Sequence, residues 1–255
     1  AVFTKRTEHL STTGKMPNII STAGIEDRTG IINFNISREP RFYAWVAFDD
    51  GDFGNELADG KPLKLQMRNS ELHGYNPDLF NRDNCETGFL NQKFFPANYR
   101  HTPGSEQNES KPRPLIRMAE LYLNLAECYA ALKDEENAFK NLNVIRERAG
   151  VKPLAHNDLS TQSLEEWVRN ERNNELWLEG HRFFDIRRWM IAPQTMSYGV
   201  RMGLNALQKK DPTFEEFNKP VLISQPFAWH NRMYVSPVFE NEIYKGPQFV
   251  QFPGY

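Results

Sequence analysis

The sequence predicts a mainly α-helical protein: one helical hairpin and a long packing helix, preceded by long loops with a small β-hairpin and followed by an irregular tail. Three observations carry this expectation. Apolar residues recur every three to four positions between residues 115 and 145, and a Ser-x2-Glu capping pattern opens a second amphipathic run at Ser163. The first 112 residues, in contrast, are rich in Gly, Pro, Asn and Asp and show little helical period.

Composition sets the outer limits. The chain has 255 residues, 39% of them hydrophobic and 25% charged, enough apolar material for a sizeable core. Its 31 Lys plus Arg against 33 Asp plus Glu give a net charge of −2, without a basic block that would follow nucleic-acid phosphates. No apolar run is long enough for a membrane span, and no signal peptide opens the chain, although a first residue of Ala1 leaves a processed or truncated N-terminus open. Two cysteines, Cys85 and Cys128, make neither a disulfide framework nor a metal cluster, and Cys128 reads as a small buried side chain in a helix.

In the first region, alternation over Phe42–Phe48 and again over Leu63, Leu65 and Met67 predicts two strands joined by the acidic turn DDGDFGNELADG. That turn offers Asp50 and Asp52 as weak calcium ligands. The twelfth position from Asp50 is Lys61, however, so the EF-hand register fails and no cofactor is expected beyond such a structural calcium. Residues 69–112 are too long and polar for a plain connector, which marks them as candidate functional loops.

Helical order begins near Pro112. Leu115, Ile116, Ala119, Leu123, Ala126 and Ala130 form one apolar stripe; Asp134 fits an N-cap; Ala138, Leu142 and Ile145 line the facing helix; and Gly150 supplies a stop. Tyr122-x2-Leu125-Ala126-x2-Tyr129 followed by Ala138-x3-Leu142 makes the hairpin TPR-like. A single such unit cannot bury both of its faces, so either the third helix takes the place of a neighbour or further repeats lie outside this segment, the reading favoured here. The third helix starts at Ser163, with Glu166 as its capping-box partner. Leu164, Val168, Leu176, Phe183, Ile186 and Met190 form its apolar side, with a break allowed at Gly180. One domain results, with a loop and hairpin region over about 1–112, a helical region over about 113–192 and a docking tail over about 193–255.

The densest chemistry lies in RNERNNELWLEGHRFFDIRRW, residues 169–189. Glu171, Glu175 and Glu179 share a helix face, and Arg172, Arg182 and Arg188 stand beside them and Asp185, with Arg146 and Arg148 on the neighbouring helix. Two carboxylates on adjacent turns could act on a glycosidic bond, but surrounding guanidinium groups lower a carboxyl pKa and remove the neutral acid such chemistry needs. The pattern therefore predicts structural ion pairs and no catalytic residues.

Four motifs occur in order: PRF at Pro40 to Phe42, PLIRMAELYLNLAE at Pro114 to Glu127, ER-x2-EL-x2-EG-x-R-x2-DI-x-RW at Glu171 to Trp189, and SPVFENEIYKGPQFVQFPGY at the end. Together they resemble the C-terminal region of the SusD/RagB family. The resemblance implies a SusD-like α/α superhelical protein that is not an enzyme. It further implies a lipid-anchored protein at the cell surface, outside the outer membrane of Bacteroidetes-type bacteria, capturing glycans or in some members peptides for a SusC-like TonB-dependent transporter. The anchor and most TPR-like repeats would belong to an N-terminal half absent from this chain. A TPR-like protein-interaction module and a glycoside hydrolase are the alternatives. Sugar faces stack on exposed aromatics beside amide and charged groups that bond hydroxyls. The ligand-binding candidates are therefore loop residues: Tyr75 and Phe80 with Asn76, Asp78 and Arg82, Tyr99, and Trp229 with His230 and Asn231.

Overall fold

The structure, a computed structural model, describes residues 38–49, 51–56, 62–68, 73–75, 85–94, 114–197, 201–207, 212–217, 219, 221–224, 228–246 and 248–255. It divides into two compact units, one of residues 1–177 with 202–221 and one of residues 178–201 with 222–255.

The first unit opens with helix α1 (Pro40–Trp45), which runs straight into strand β1 (Val46–Phe48). The alternation over Phe42–Phe48 therefore covers a helix and only a short strand. Pro40 at the first helical position presets φ and lacks the N–H that would go unpaired there, so the local start signal overrides the period-two pattern. Strand β2 (Asp52–Glu56) pairs with β3 (Pro62–Lys64), and β1 pairs with β4 (Phe89–Asn91), both antiparallel. A hairpin does form, but its first strand comes from the stretch read as a turn, and a bulge lies between Phe53 and Glu56. Beneath these strands Ala47, Leu65, Met67, Cys85, Leu204, Ala206 and Phe217 make a small core.

The helical part is built as its capping residues direct. Helix α2 (Met118–Ala131) and helix α3 (Glu135–Arg148) form the hairpin, with Asp134 Oδ1 accepting from Asn137 N at 3.2 Å and Gly150 closing α3 at φ +70°. Helix α4 (Leu164–Glu175) starts at the capping box, where Ser163 Oγ accepts from Glu166 N and Glu166 Oε2 accepts from Ser163 N. Ala119, Leu123, Ala126 and Ala130 of α2 pack on Ala138, Leu142 and Ile145 of α3 and on Leu164, Val168 and Leu176 from α4 and its end. Thus α4 fills part of a neighbouring repeat's role.

Two expectations on α2 fail. Leu115 and Ile116 precede the helix and are 95% and 70% exposed, because the chain enters a helical conformation only at Met118. Cys128 is exposed, not buried: it falls on the outer side of α2 with Met118, Leu121, Leu125 and Leu132. No described helix is long and apolar enough to cross a membrane.

The long third helix is two helices. After Glu175 the backbone turns left-handed at Leu178 (φ +62°) and Gly180 (φ +83°), and α5 (His181–Arg188) begins in the second unit. Ile186 is buried there, whereas Phe183 and Met190 are exposed, because the left-handed break ends the single helical period that would have set all of them on one apolar side. The tail of this unit holds a 3-10 turn at Asn231–Tyr234 and a short helix at Glu240–Ile243.

Candidate functional site

The charges of α4 turn inward. Glu171 and Glu175 are 1% and 0% exposed, and the guanidinium of Arg41, only 4% exposed, bridges them. Arg41 Nη1 lies 2.7 Å from Glu171 Oε1 and 3.0 Å from Glu175 Oε2, and Arg41 also pairs with buried Glu39. Arg146 Nη1 donates to Glu171 Oε2 at 2.9 Å, Arg117 Nη1 donates to Glu175 Oε1 at 2.5 Å, and Arg148 joins the same Glu175 oxygen. Burial by itself would raise the Glu171 carboxyl; Arg41 and Arg146 outweigh it and hold its pKa below the ordinary glutamate range. Burial likewise acts to lower the Arg41 pKa, and Glu171, Glu39 and Glu175 reverse it to a net rise. A carboxylate held ionised among guanidinium groups has no proton to give a leaving group.

The same cluster ends the helix. Lys93 Nζ donates to the carbonyls of Glu175 (2.9 Å) and Trp177 (2.7 Å) while stacking on Trp45, and Arg117 Nη2 donates to the Glu175 carbonyl at 2.7 Å. Cations at a helix C-terminus satisfy its orphan carbonyls and its dipole. Arg172 is buried and donates to Asn124 Oδ1 at 2.6 Å, tying α4 to α2. Glu179 lies past the end of α4, so it does not share the face of Glu171 and Glu175. In the second unit Arg188 Nε and Nη2 donate to buried Asp185 Oδ1 at 3.2 and 3.0 Å, and Arg182 stands within Coulombic reach of the same carboxylate.

A different chemistry occupies the tail of the second unit. A cavity of about 460 Å³ is lined by Trp229, Met233, Val235, Pro237, Tyr255 and Arg187, with Ala228 and Ser236 completing it. The Trp229 ring meets Tyr234 edge-on at 5.0 Å, and the Arg187 guanidinium lies 5.4 Å from the Trp229 ring centre and 3.6 Å from that of Phe183. Tyr255 is fixed by its hydroxyl, which donates to the Val235 carbonyl at 3.0 Å, and by Arg232 stacked at 5.3 Å. The volume suits one small ligand, and two aromatic walls beside a cation suit an amphipathic one.

Trp229 is thus the sequence candidate placed in a cavity wall; His230 and Asn231 are exposed next to it. Tyr75 is half-buried in the first unit beside His73, whose Nδ1 accepts from Gln66 N at 3.1 Å. Asn76, Asp78, Phe80, Arg82, Tyr99 and Asp50 lie outside the described residues. Asp52 belongs to strand β2, and neighbouring Asp49 is committed to Met67 N and Arg68 Nε. Among the described residues no cluster of three His, Cys, Asp or Glu stands ready for a metal. Sequence reasoning missed Arg187, Met233 and Tyr255 in the cavity, and Glu39, Arg41 and Arg117 in the ion cluster. Arg41 and Arg117 do sit inside the PRF and PLIR motifs, which was the available signal.

A family model described as the SusD family matches residues 8–255. The chain belongs to the SusD family. Among solved structures, BT4246 is 50% identical with a TM-score of 0.84, the alignment covering 99% of this chain and 43% of that one. A SusD-like protein from Bacteroides fragilis, BF3747, is 29% identical with a TM-score of 0.69 over 86% of this chain and 39% of that one. SusD-like protein P25 of Formosa agariphila is 38% identical over 86 residues, 33% of this chain and 16% of that protein. The chain therefore spans less than half the length of each of these relatives. SusD-family proteins are generally non-catalytic binding proteins of glycan uptake.

Proposed function

We propose that this SusD-family chain belongs to a cell-surface protein that binds saccharides without cleaving them and delivers them to a SusC-like TonB-dependent transporter. The full-length protein would be held at the outer membrane by a lipid outside this chain. One observation carries the binding part of this reading: Trp229 walls an open cavity of about 460 Å³ together with Tyr255 and Arg187. The apolar face of a pyranose ring stacks on an indole, and the polar edge of the same ring needs donors of the kind Arg187 and Ser236 offer. The burial and pairing of Glu171 and Glu175 support binding without hydrolysis. The test is a glycan array probed with the full-length protein and its Trp229→Ala variant. Saturable binding to at least one glycan class is expected, lost or weakened by more than about tenfold in the variant, which converts to about 1.4 kcal/mol. Undiminished binding by Trp229→Ala would remove this cavity from the site.

A further inference from the structure

Among the described residues Arg187 is the one charged side chain in the cavity wall, and its surroundings differ from those of the arginines in the ion clusters. Arg188, next to it, is paired with Asp185, and Arg41, Arg146, Arg117 and Arg148 all face carboxylates. Arg187 has no carboxylate partner among the described residues. Its Nη1 donates to the Phe183 carbonyl at 2.8 Å, its plane stacks on Phe183, and Trp229 flanks it. A guanidinium carries five N–H donors in a rigid fork, so donors remain once Phe183 is served. None of the other lining residues, Ala228, Trp229, Met233, Val235, Ser236, Pro237 and Tyr255, brings an acidic side chain into the cavity. The Trp229 indole N–H is buried and has no hydrogen-bond partner among the described residues, so a second donor is also left for a ligand to satisfy.

A half-buried cation set between aromatic faces, with no carboxylate partner among the described residues, matches a ligand that brings a counter-charge. Stacking on Phe183 also holds the fork in place, which reduces the side-chain freedom lost on binding. We propose, building on the saccharide reading of this cavity, that it selects acidic sugars: a residue bearing a ring carboxylate, such as a uronic acid or a sialic acid. Its ring stacks against the Trp229 and Tyr255 walls and its carboxylate is forked by Arg187.

The experiment uses the full-length protein and three pairs of probes, the methyl glycosides of glucuronic acid, galacturonic acid and N-acetylneuraminic acid, each beside its carboxyl methyl ester. Affinities are measured by calorimetry or by NMR shifts at low and high salt. At least one acid is expected to bind about tenfold or more tighter than its ester, which converts to about 1.4 kcal/mol. The gap is expected to narrow with salt and to close in Arg187→Gln, with the acid losing more affinity than its ester. Trp229→Ala is expected to weaken acid and ester together. Equal binding of every acid and its ester, or a gap that survives Arg187→Gln in the folded variant, overturns the selectivity and leaves a neutral saccharide site standing. Absence of binding by all six probes overturns the selectivity and the saccharide reading of this cavity together.

Discussion

Replacing Glu175 with Ala removes the acceptor shared by three arginines, and their exposure fixes the size of the effect. Arg148, whose side chain is 55% exposed, can return to water, and Arg117 at 24% can do so in part. Arg41 cannot: its side chain is 5% exposed and one of its nitrogens already lacks a hydrogen-bond partner among the described residues. Breaking a buried pair from one side costs about 3–5 kcal/mol because the other charge stays behind unpaired. Since Glu39 and Glu171 remain beside Arg41, the lower end applies, about 3 kcal/mol. Glu175→Ala should therefore lower the midpoint of the helical unit's thermal transition by about 6–12 °C, at about 2–4 °C per kcal/mol for a chain of this size. Arg148→Ala, the exposed arm of the same cluster, should cost no more than about 1 kcal/mol. Urea denaturation followed by far-ultraviolet circular dichroism measures both. A loss below about 1 kcal/mol for Glu175→Ala, or equal losses in the two variants, would refute the reasoning from burial.

Further outcomes follow from other parts of the structure. Because the folded pKa of Glu171 is held below the ordinary glutamate value of 4.5, its contribution is complete above that value and is lost as pH falls through the folded pKa; a pH series of unfolding midpoints should fall below about pH 4.5 and be flatter in Glu171→Gln. Leu123 is fully buried and Leu125 is 46% exposed, so in the 255-residue chain Leu123→Ala should cost about 2–5 kcal/mol and Leu125→Ala less than about 0.5 kcal/mol, as read by chemical denaturation. At Gly88 φ is +74° and an added Cβ would lie 2.9 Å from Leu204 Cβ, so Gly88→Ala should destabilise the strand core by about 1–3 kcal/mol in the same assay.

What the sequence disclosed follows the range of the forces involved. Asp134, Gly150, Ser163 and Glu166 act within a few residues of themselves, and they start or stop helices where the sequence places them. The stripe of Ala119, Leu123, Ala126 and Ala130 is buried because a period of three to four is itself a statement about one face. Partner choice is another matter. Arg41 reaches Glu175 across 134 residues, and β1 chooses β4 over the nearer β3, outcomes that depend on the whole fold and leave no local trace. Pro40 shows a local rule used too sparingly: it begins a helix inside an alternation that otherwise reads as a strand. In the cavity, Trp229 was legible as a loop aromatic with polar neighbours. Arg187 is hidden by its position in a charge-rich helix, where the sequence makes every arginine equally suited to an ion pair, and only the fold separates it from Arg188.

In the proposed function the Glu171 and Glu175 cluster holds the helices and the Trp229 cavity holds the ligand. Saccharide affinity of the full-length protein carrying Glu175→Gln, measured beside Trp229→Ala at a temperature where both are folded, tests this assignment most directly. Wild-type affinity is expected for Glu175→Gln despite its lowered melting temperature, and lost affinity for Trp229→Ala at an unchanged one. Glycan cleavage by the wild-type protein that disappears in Glu175→Gln, with binding untouched by Trp229→Ala, would contradict it.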